Sequence, residues 1–126
     1  MNNSLAYNTY AQNDIRIESP QKLVEMLYEG ILRFNMQAKR AITNDDIEKR
    51  THWINRSSAI LTELLNTLDM NAGGELSQYL EGLYTHQLQT LSQANGENSI
   101  EKIDSVNKVV KGLLEAWRES TQVAVG

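Results

Sequence analysis

Apolar residues recur every three or four positions along the stretch that begins at Ser19 and Pro20. Ser19 can cap a helix by accepting from an unpaired backbone N–H, and Pro20 suits the first helical position because its missing donor loses no partner there. The pattern predicts an amphipathic helix running to about Thr43, with other apolar side chains widening its buried face enough to require neighbours on both sides. The central stripe of that face is Leu23, Leu27, Ile31, Phe34, Ala38 and Ala41.

A second helix is predicted after a tight turn at Asn44. Asp45 can cap it, and Glu48 three residues later completes a capping box. Its buried stripe is Ile47, Ile54, Leu61, Leu64, Leu65 and Leu68. Trp53 and Ile60 lie beside that stripe, either as edge contacts of the core or as part of an apolar surface offered to a partner.

The glycine pair at 73–74 frees the backbone to end the second helix and turn into a third. The third helix is predicted to begin at Glu75 or Leu76 and to end around 95–96. Its core stripe is Leu76, Leu80, Leu83, Gln87, Leu91 and Ala94, with Tyr84 and Leu88 at the edge.

A fourth helix follows a second predicted capping box, formed by Asn98 and Glu101. Its stripe is Ile100, Ile103, Val106, Val110, Leu113, Leu114 and Trp117. Short connections force neighbouring helices to run antiparallel, so the predicted fold is all-α, an up-down-up-down four-helix bundle over residues 19–120. Nothing in the sequence holds the tail 121–126, which is expected to be disordered.

Residues 1–18 form a separate N-terminal segment. Leu5, Tyr7 and Tyr10 give it a small apolar face typical of one or two helical turns. A helix this short is marginal in water unless it docks on something. The segment is therefore either a frayed terminus or a short extra helical element that packs on the bundle.

The composition bounds the class of protein. A chain of 126 residues fits one domain with a real core, and the absence of cysteine removes disulfides and thiolate metal sites. The net charge of −4 argues against nucleic acid as the main partner. A basic cluster at Lys39, Arg40, Lys49, Arg50 and Arg56 is interpreted as a solvated, self-paired end of the bundle.

Targeting and membrane signals are also weak. No apolar run approaches the ~20 residues that span a bilayer, and the polar start lacks the features of a signal peptide. The expectation is a soluble cytoplasmic protein without membrane insertion.

The sequence contains no recognisable catalytic or metal-binding motif. Di-iron bundles use inward-facing carboxylates and Glu-x-x-His pairs, but Lys49 and Leu83 stand three residues before His52 and His86. Phosphate loops and nucleophile elbows are missing as well. We therefore expect no enzymatic activity and no cofactor or metal.

Three glycines, Gly30, Gly82 and Gly112, lie well inside predicted helices. Glycine lowers helix stability by roughly 0.8–1 kcal/mol relative to alanine at such positions, so a packing or functional advantage should offset that cost. One interpretation is close helix–helix packing. The other is a set of shallow grooves for a visiting apolar helix, beside Tyr79 and His86 for Gly82 and beside Val109 and Ala116 for Gly112.

An ordered set of short motifs resembles the FliS family of flagellar secretion chaperones. The resemblance covers residues 5–118 and rests on Ser19-Pro20 running into Lys22-Leu23-Val24-Glu25-Met26-Leu27-Tyr28-Glu29-Gly30, then Leu68-Asp69, Gly73-Gly74-Glu75, Leu83-Tyr84, Ala94-Asn95, Ile103-Asp104 and Trp117. It implies a chaperone that binds the disordered C-terminal segment of flagellin, prevents its premature polymerisation and delivers it to the flagellar type III export apparatus. Further partners that it allows are a co-chaperone, an assembly regulator or an export-gate component.

The client site is expected on the outer surface of the bundle. Tyr28, Trp53 and Tyr84 are its predicted anchors, because aromatic side chains offer large contact area at low entropic cost. Tyr7 and Tyr10 are expected to act through the N-terminal segment, as a lid on that surface that leaves when flagellin arrives. The alternative function is a structural or regulatory bundle that self-associates through its surplus apolar positions.

Overall fold

The computed structural model describes residues 19–125, with side chains described to residue 122. Over this range the chain forms four helices, α1 (Pro20–Thr43), α2 (Ile47–Asn66), α3 (Gly74–Glu97) and α4 (Ile100–Val125), and no strand. α1 packs against α2 and α4, and α3 packs against the same two helices, so the four helices form a square. The predicted all-α four-helix bundle is confirmed.

The start of α1 follows the prediction, whereas the start of α2 differs by one residue. The Ser19 hydroxyl accepts from the Lys22 backbone N–H at 3.2 Å. At α2 the cap is Asp46, whose carboxylate accepts from Lys49 N at 3.0 Å. The predicted cap, Asp45, instead takes a left-handed conformation in the turn, with φ of 55°. The Asp45 prediction is therefore wrong, because the turn uses the first aspartate to reverse direction and the second to cap.

The connection between α3 and α4 shows a similar shift. Asn98 has φ of 56° and closes the C-terminus of α3, donating its backbone N–H to Ala94 O. Ser99 accepts from the Lys102 N–H at 3.1 Å and thereby caps α4. The predicted Asn98 and Glu101 capping box is wrong for that reason. Helix α4 then continues through Val125, beyond the predicted end at residue 120.

The core is apolar and runs the length of the bundle. Its most deeply buried side chains include Ile31, Ile54, Leu61, Leu91, Ile103, Val106 and Val110. Two predicted core residues are instead exposed, Ile47 and Leu76, each at 66 %. Both lie in the first turn of their helices, at ends of the bundle where the neighbouring helices do not cover them.

The predicted stripes of α3 and α4 are buried at Gln87, Leu91 and Ala94 and at Ile103, Val106, Val110 and Leu114, but the structure differs from the prediction around Leu83 and Leu113. Tyr84 and Leu114 are buried, while Leu83 and Leu113 are only half-buried. One residue turns the side chain by about 100° around a helix, so Leu83 and Leu113 lie at the edge of the core beside their buried neighbours. The two leucines thus face the boundary between α3 and α4.

Candidate functional site

The predicted aromatic anchors do not form one surface. Tyr28 and Tyr84 are only 4 % and 3 % exposed, and their hydroxyls share a hydrogen bond of 2.6 Å across the core between α1 and α3. Burial raises the pKa of both hydroxyls, so they stay neutral. The expectation that these two side chains lie on the outer surface is wrong, because each completes the interior and satisfies the polar group of the other.

Trp53 lies elsewhere, between α1 and α2. It is half-buried, and its ring centre is 5.4 Å from that of Phe34. Tyr7 and Tyr10 lie outside the described residues. Among the predicted partner-binding residues in the described part of the chain, Tyr28 and Tyr84 meet inside the core and Trp53 packs on Phe34, so these three do not form one client surface.

Polar contacts establish which face of α4 meets α1. The Asn35 amide donates to Asn107 Oδ1 at 2.8 Å, and the Trp117 indole N–H donates to Gln21 O at 2.9 Å. Arg118 binds the carboxylates of Glu25 and Glu29, at 2.9 and 2.6 Å. Its hydrogen bond lowers the pKa of Glu25. These contacts join the end of α4 to the start of α1 and leave another face of α4 directed at α3.

The facing surfaces of α3 and α4 are located by Lys102. Its ammonium donates to Gln93 at 3.0 Å and to Glu97 at 3.2 Å. Residues three and four apart share a helix face, so the face of α3 that carries Gln93 also carries Thr90, His86, Leu83 and Tyr79. By the same spacing, the Lys102 face of α4 carries Val106, Val109, Leu113 and Ala116.

The apolar side chains along this boundary become more exposed away from the α3–α4 connection. On α3, Thr90 is buried, Leu83 is half-buried and Tyr79 is 63 % exposed. On α4, Val106 is buried whereas Ala116 is exposed. The boundary is thus closed near the connection and open at the opposite end. We call the open part the α3/α4 groove, lined by Leu76, Tyr79, Leu83, His86, Val109, Leu113 and Ala116.

Glycines flank this groove on both helices. Gly82 and Gly112 are exposed, and a Cβ added at either would meet no atom within 4 Å. Close helix packing is therefore the wrong interpretation for these two, and the groove interpretation fits them. The contact of Lys102 with Gln93 fixes the antiparallel register and places Gly82 at about the level of Leu113. Gly30, in contrast, is buried in α1.

The exposed positions beside the groove are polar. Uncharged ones are Gln78, Thr85 and Gln89 on α3 and Ser105 and Ser120 on α4, and charged ones are Glu75 on α3 and Lys108, Glu115 and Glu119 on α4. An apolar floor with a polar rim suits the apolar face of a visiting helix or an extended apolar segment. The glycine signal in the sequence located this surface, whereas Leu76, Leu83 and Leu113 were assigned to the core because their spacing also fits a buried stripe.

Between residues 19 and 122, no group of three or more His, Asp or Glu side chains lies close enough to hold a metal ion. None of the helices α1 to α4 combines the length and hydropathy that crossing a membrane requires.

Comparisons with known proteins agree on one family. The family model described as "Flagellar protein FliS" matches residues 1–124. The flagellar secretion chaperone FliS of Campylobacter jejuni is 60 % identical over 119 residues, covering 94 % of this chain and 93 % of that protein. The flagellar secretion chaperone FliS of Bacillus subtilis is 34 % identical over 116 residues, covering 92 % and 86 %. That of Salmonella typhimurium is 28 % identical over 102 residues, covering 80 % and 76 %.

Proposed function

Because the chain belongs to the FliS family of flagellar secretion chaperones, we propose that it binds the disordered C-terminal region of flagellin in the cytoplasm. It prevents premature polymerisation of flagellin and delivers it to the flagellar type III export apparatus. The observation that supports this proposal is the α3/α4 groove, an open apolar surface with a polar rim.

The groove has the properties that a transient client needs. Tyr79 and Leu76 are exposed before any client arrives, so binding buries apolar surface without opening the core. A client segment that folds as it binds loses conformational entropy at that moment, which keeps affinity moderate and allows release at the export apparatus. Holding such a segment requires neither catalysis nor a cofactor.

The proposal is tested by titrating a flagellin C-terminal peptide into the protein in a calorimeter. Tyr79→Ala should weaken binding by about tenfold or more, as expected for an aromatic contact at an interface. The thermal melting temperature should change little, because Tyr79 is 63 % exposed and packs on little of the core.

The matched control is Met36→Ala, which removes an exposed apolar side chain from α1, away from the groove. It should leave both affinity and melting temperature unchanged. Equal losses in the two variants would contradict the groove as client site. A wild-type protein that ignores the peptide and elutes as a homo-oligomer would favour the alternative of a self-associating bundle.

We also propose that residues 1–18 compete with the client for the groove, with Tyr7 and Tyr10 as their contacts. Ser19, to which this segment is joined, lies at the end of the bundle where the groove is open, since Gln21 contacts Trp117 near the end of α4. A segment tethered beside a surface acts at high effective concentration.

Deletion of residues 1–12 should therefore tighten binding of the flagellin peptide. A lid that costs about 1–2 kcal/mol to open lowers apparent affinity roughly 5–30-fold, and the deletion removes that penalty. The double substitution Tyr7→Ser with Tyr10→Ser should act in the same direction. Weaker binding after deletion would instead make the segment a direct client contact, and unchanged binding would make it an uninvolved terminus.

A further inference from the structure

Aromatic and cationic side chains cluster on the outer side of the α1/α2 pair. The Phe34 and Trp53 rings lie 5.4 Å apart, and His52 meets Trp53 edge-on at 4.7 Å. The guanidinium carbons of Arg33 and Arg56 lie 5.4 and 5.0 Å from the centre of the same Phe34 ring. We call these five residues the arginine–aromatic patch.

The two arginines of the patch have no acidic partner in the described part of the chain. Lys39 and Arg118 both bind carboxylates within 4.0 Å, whereas Arg33 and Arg56 make no such salt bridge. A guanidinium that lies over an aromatic ring keeps its N–H donors available to carboxylates. The patch therefore presents two positioned cationic groups without an acceptor.

The positive charge extends along both helices. Arg40 lies two turns beyond Arg33 on α1, and Lys49 lies two turns before Arg56 on α2; both are exposed, and neither forms a salt bridge to a described residue. The interpretation of this cluster as self-paired is therefore wrong for Arg40, Lys49 and Arg56. Glu63, two turns past Arg56, is the acidic residue that follows on the same α2 face. A basic stripe thus crosses a chain of net charge −4.

We propose that the arginine–aromatic patch binds an acidic segment of a partner protein. Carboxylates of the acidic segment would bind Arg33 and Arg56, and an apolar side chain of the same segment would pack beside Trp53. Side chains one turn apart on a helix have Cβ atoms about 5–6 Å apart, so two carboxylates on one helix face can reach two guanidiniums that lie 5.4 and 5.0 Å from the same ring centre.

The observations favour an acidic protein segment over nucleic acid. The net negative charge of the chain repels an extended polyanion. Single-stranded nucleic acid also needs open aromatic faces on which bases stack. The Phe34 and Trp53 rings are half-buried, and neighbouring side chains already lie against them.

The patch lies on the opposite side of the bundle from the α3/α4 groove, since α1/α2 and α3/α4 are opposite edges of the square. Both surfaces can therefore be occupied at the same time. This inference stands independently of the function proposed for the groove, because it concerns different residues and a partner of different chemistry.

The experiment uses the full chain and two synthetic helical peptides, followed by NMR. One peptide carries Glu at positions four apart beside Leu residues, and the other has each Glu replaced by Gln. The chain has two tryptophans, Trp53 in the patch and Trp117 on α4, so each indole N–H signal reports on one region. The Glu peptide should shift the Trp53 signal, the Trp117 signal should stay in place, and the Gln peptide should shift neither.

Variants then measure the contribution of the arginines. Arg33→Gln with Arg56→Gln should weaken Glu-peptide binding at least about tenfold, as expected for the loss of two charge-assisted contacts. The matched control is Lys108→Gln with Lys111→Gln, which makes the same change in net charge at exposed positions of α4. It should weaken binding less than about twofold, because only screened long-range charge is lost.

Several results would overturn the proposal. One is equal weakening in the two double variants, and another is a Glu peptide that shifts the Trp117 signal instead of the Trp53 signal. A third is no binding at roughly 50–100 mM salt, where the Debye length is still about 10 Å or more and charge attraction is only partly screened. Tighter binding of a single-stranded oligonucleotide than of the Glu peptide would assign the patch to nucleic acid. Movement of the Trp53 signal with protein concentration alone would assign it to a second copy of the chain.

Discussion

The two sides of the bundle place glycine in opposite environments. On the α1/α2 side, Gly30 is buried, and the mutually tilted rings of Phe34 and Trp53 cover the outer boundary between the helices. On the α3/α4 side, Gly82 and Gly112 are exposed beside open space. A glycine inside a helix can therefore mark either close packing or a surface left open, and burial distinguishes the two.

The comparison indicates that the α1/α2 side of the bundle contributes mainly to stability and the α3/α4 side to client binding. The closed side excludes water from apolar side chains and so supplies stability. The open side leaves apolar residues exposed, which forgoes part of that stability and leaves surface for a client. Substitutions at buried positions on the closed side should therefore change the free energy of unfolding, and those at the groove should change client binding.

The largest expected effect comes from a matched pair of leucines, one on each side. Leu64 is buried on α2, so Leu64→Ala should cost about 2–5 kcal/mol through lost burial and an unfilled cavity. Leu83 is half-buried beside the groove, so Leu83→Ala should cost roughly half as much in urea melts while weakening client binding more than Leu64→Ala does. Equal costs of unfolding for the two variants would show that the groove is packed as tightly as the core.

An intermediate effect is expected at the tyrosine pair that links the two sides through the core. Removing one hydroxyl, as in Tyr28→Phe, leaves the Tyr84 hydroxyl buried without its partner, at a cost of about 1–3 kcal/mol. The double variant with Tyr84→Phe should cost less than the sum of the single changes, because neither polar group then remains unpaired. A double-mutant cycle in urea measures the coupling, and strict additivity would contradict the shared hydrogen bond.

The same pair gives a pH dependence with a definite sign. Burial raises the pKa of Tyr28 and Tyr84 above the ordinary value of 10.0. Below pH 10 their contribution to stability is fully present, whereas above it the unfolded chain loses phenolic protons that the folded chain retains, so stability falls as pH rises. The double phenylalanine variant should lose less stability between pH 9 and 11, about one unit either side of that ordinary value. An unchanged slope in urea melts would mean that other groups dominate the alkaline range.

The helices were predictable because their signals are local. The Ser19 cap and Pro20 are read directly from the sequence, and the structure uses both. The errors at Asp45 and Asn98 arise where two adjacent polar residues can each cap a helix. Backbone conformation decides between them, since the first residue of each pair takes a positive φ and the second caps.

The groove was harder to predict because exposure depends on where neighbouring helices end. Periodicity assigned Leu76 to the core, although no neighbour covers the first turn of α3. Aromatic character suggested Tyr84 as a surface contact, yet a buried hydroxyl partner makes an interior tyrosine favourable. Gly82 and Gly112 were more informative, because a helical glycine without a packing reason draws attention to the surface beside it.

The smallest expected effect comes from replacing the two exposed glycines by alanine, which should raise the stability of the fold while weakening client binding. An alanine Cβ at Gly82 or Gly112 meets no atom within 4 Å, so Gly82→Ala and Gly112→Ala should each stabilise the fold by about 0.5–1 kcal/mol through helix propensity. Gly30 is buried, so Gly30→Ala is expected to crowd its surroundings and to be destabilising. If the two exposed glycines keep the flanks of the groove low, their alanine variants should bind the flagellin peptide a few-fold more weakly even though they melt at higher temperature. Stabilisation with unchanged affinity would mean that the client does not approach these flanks, and destabilisation at either position would mean that the space beside it is filled in solution.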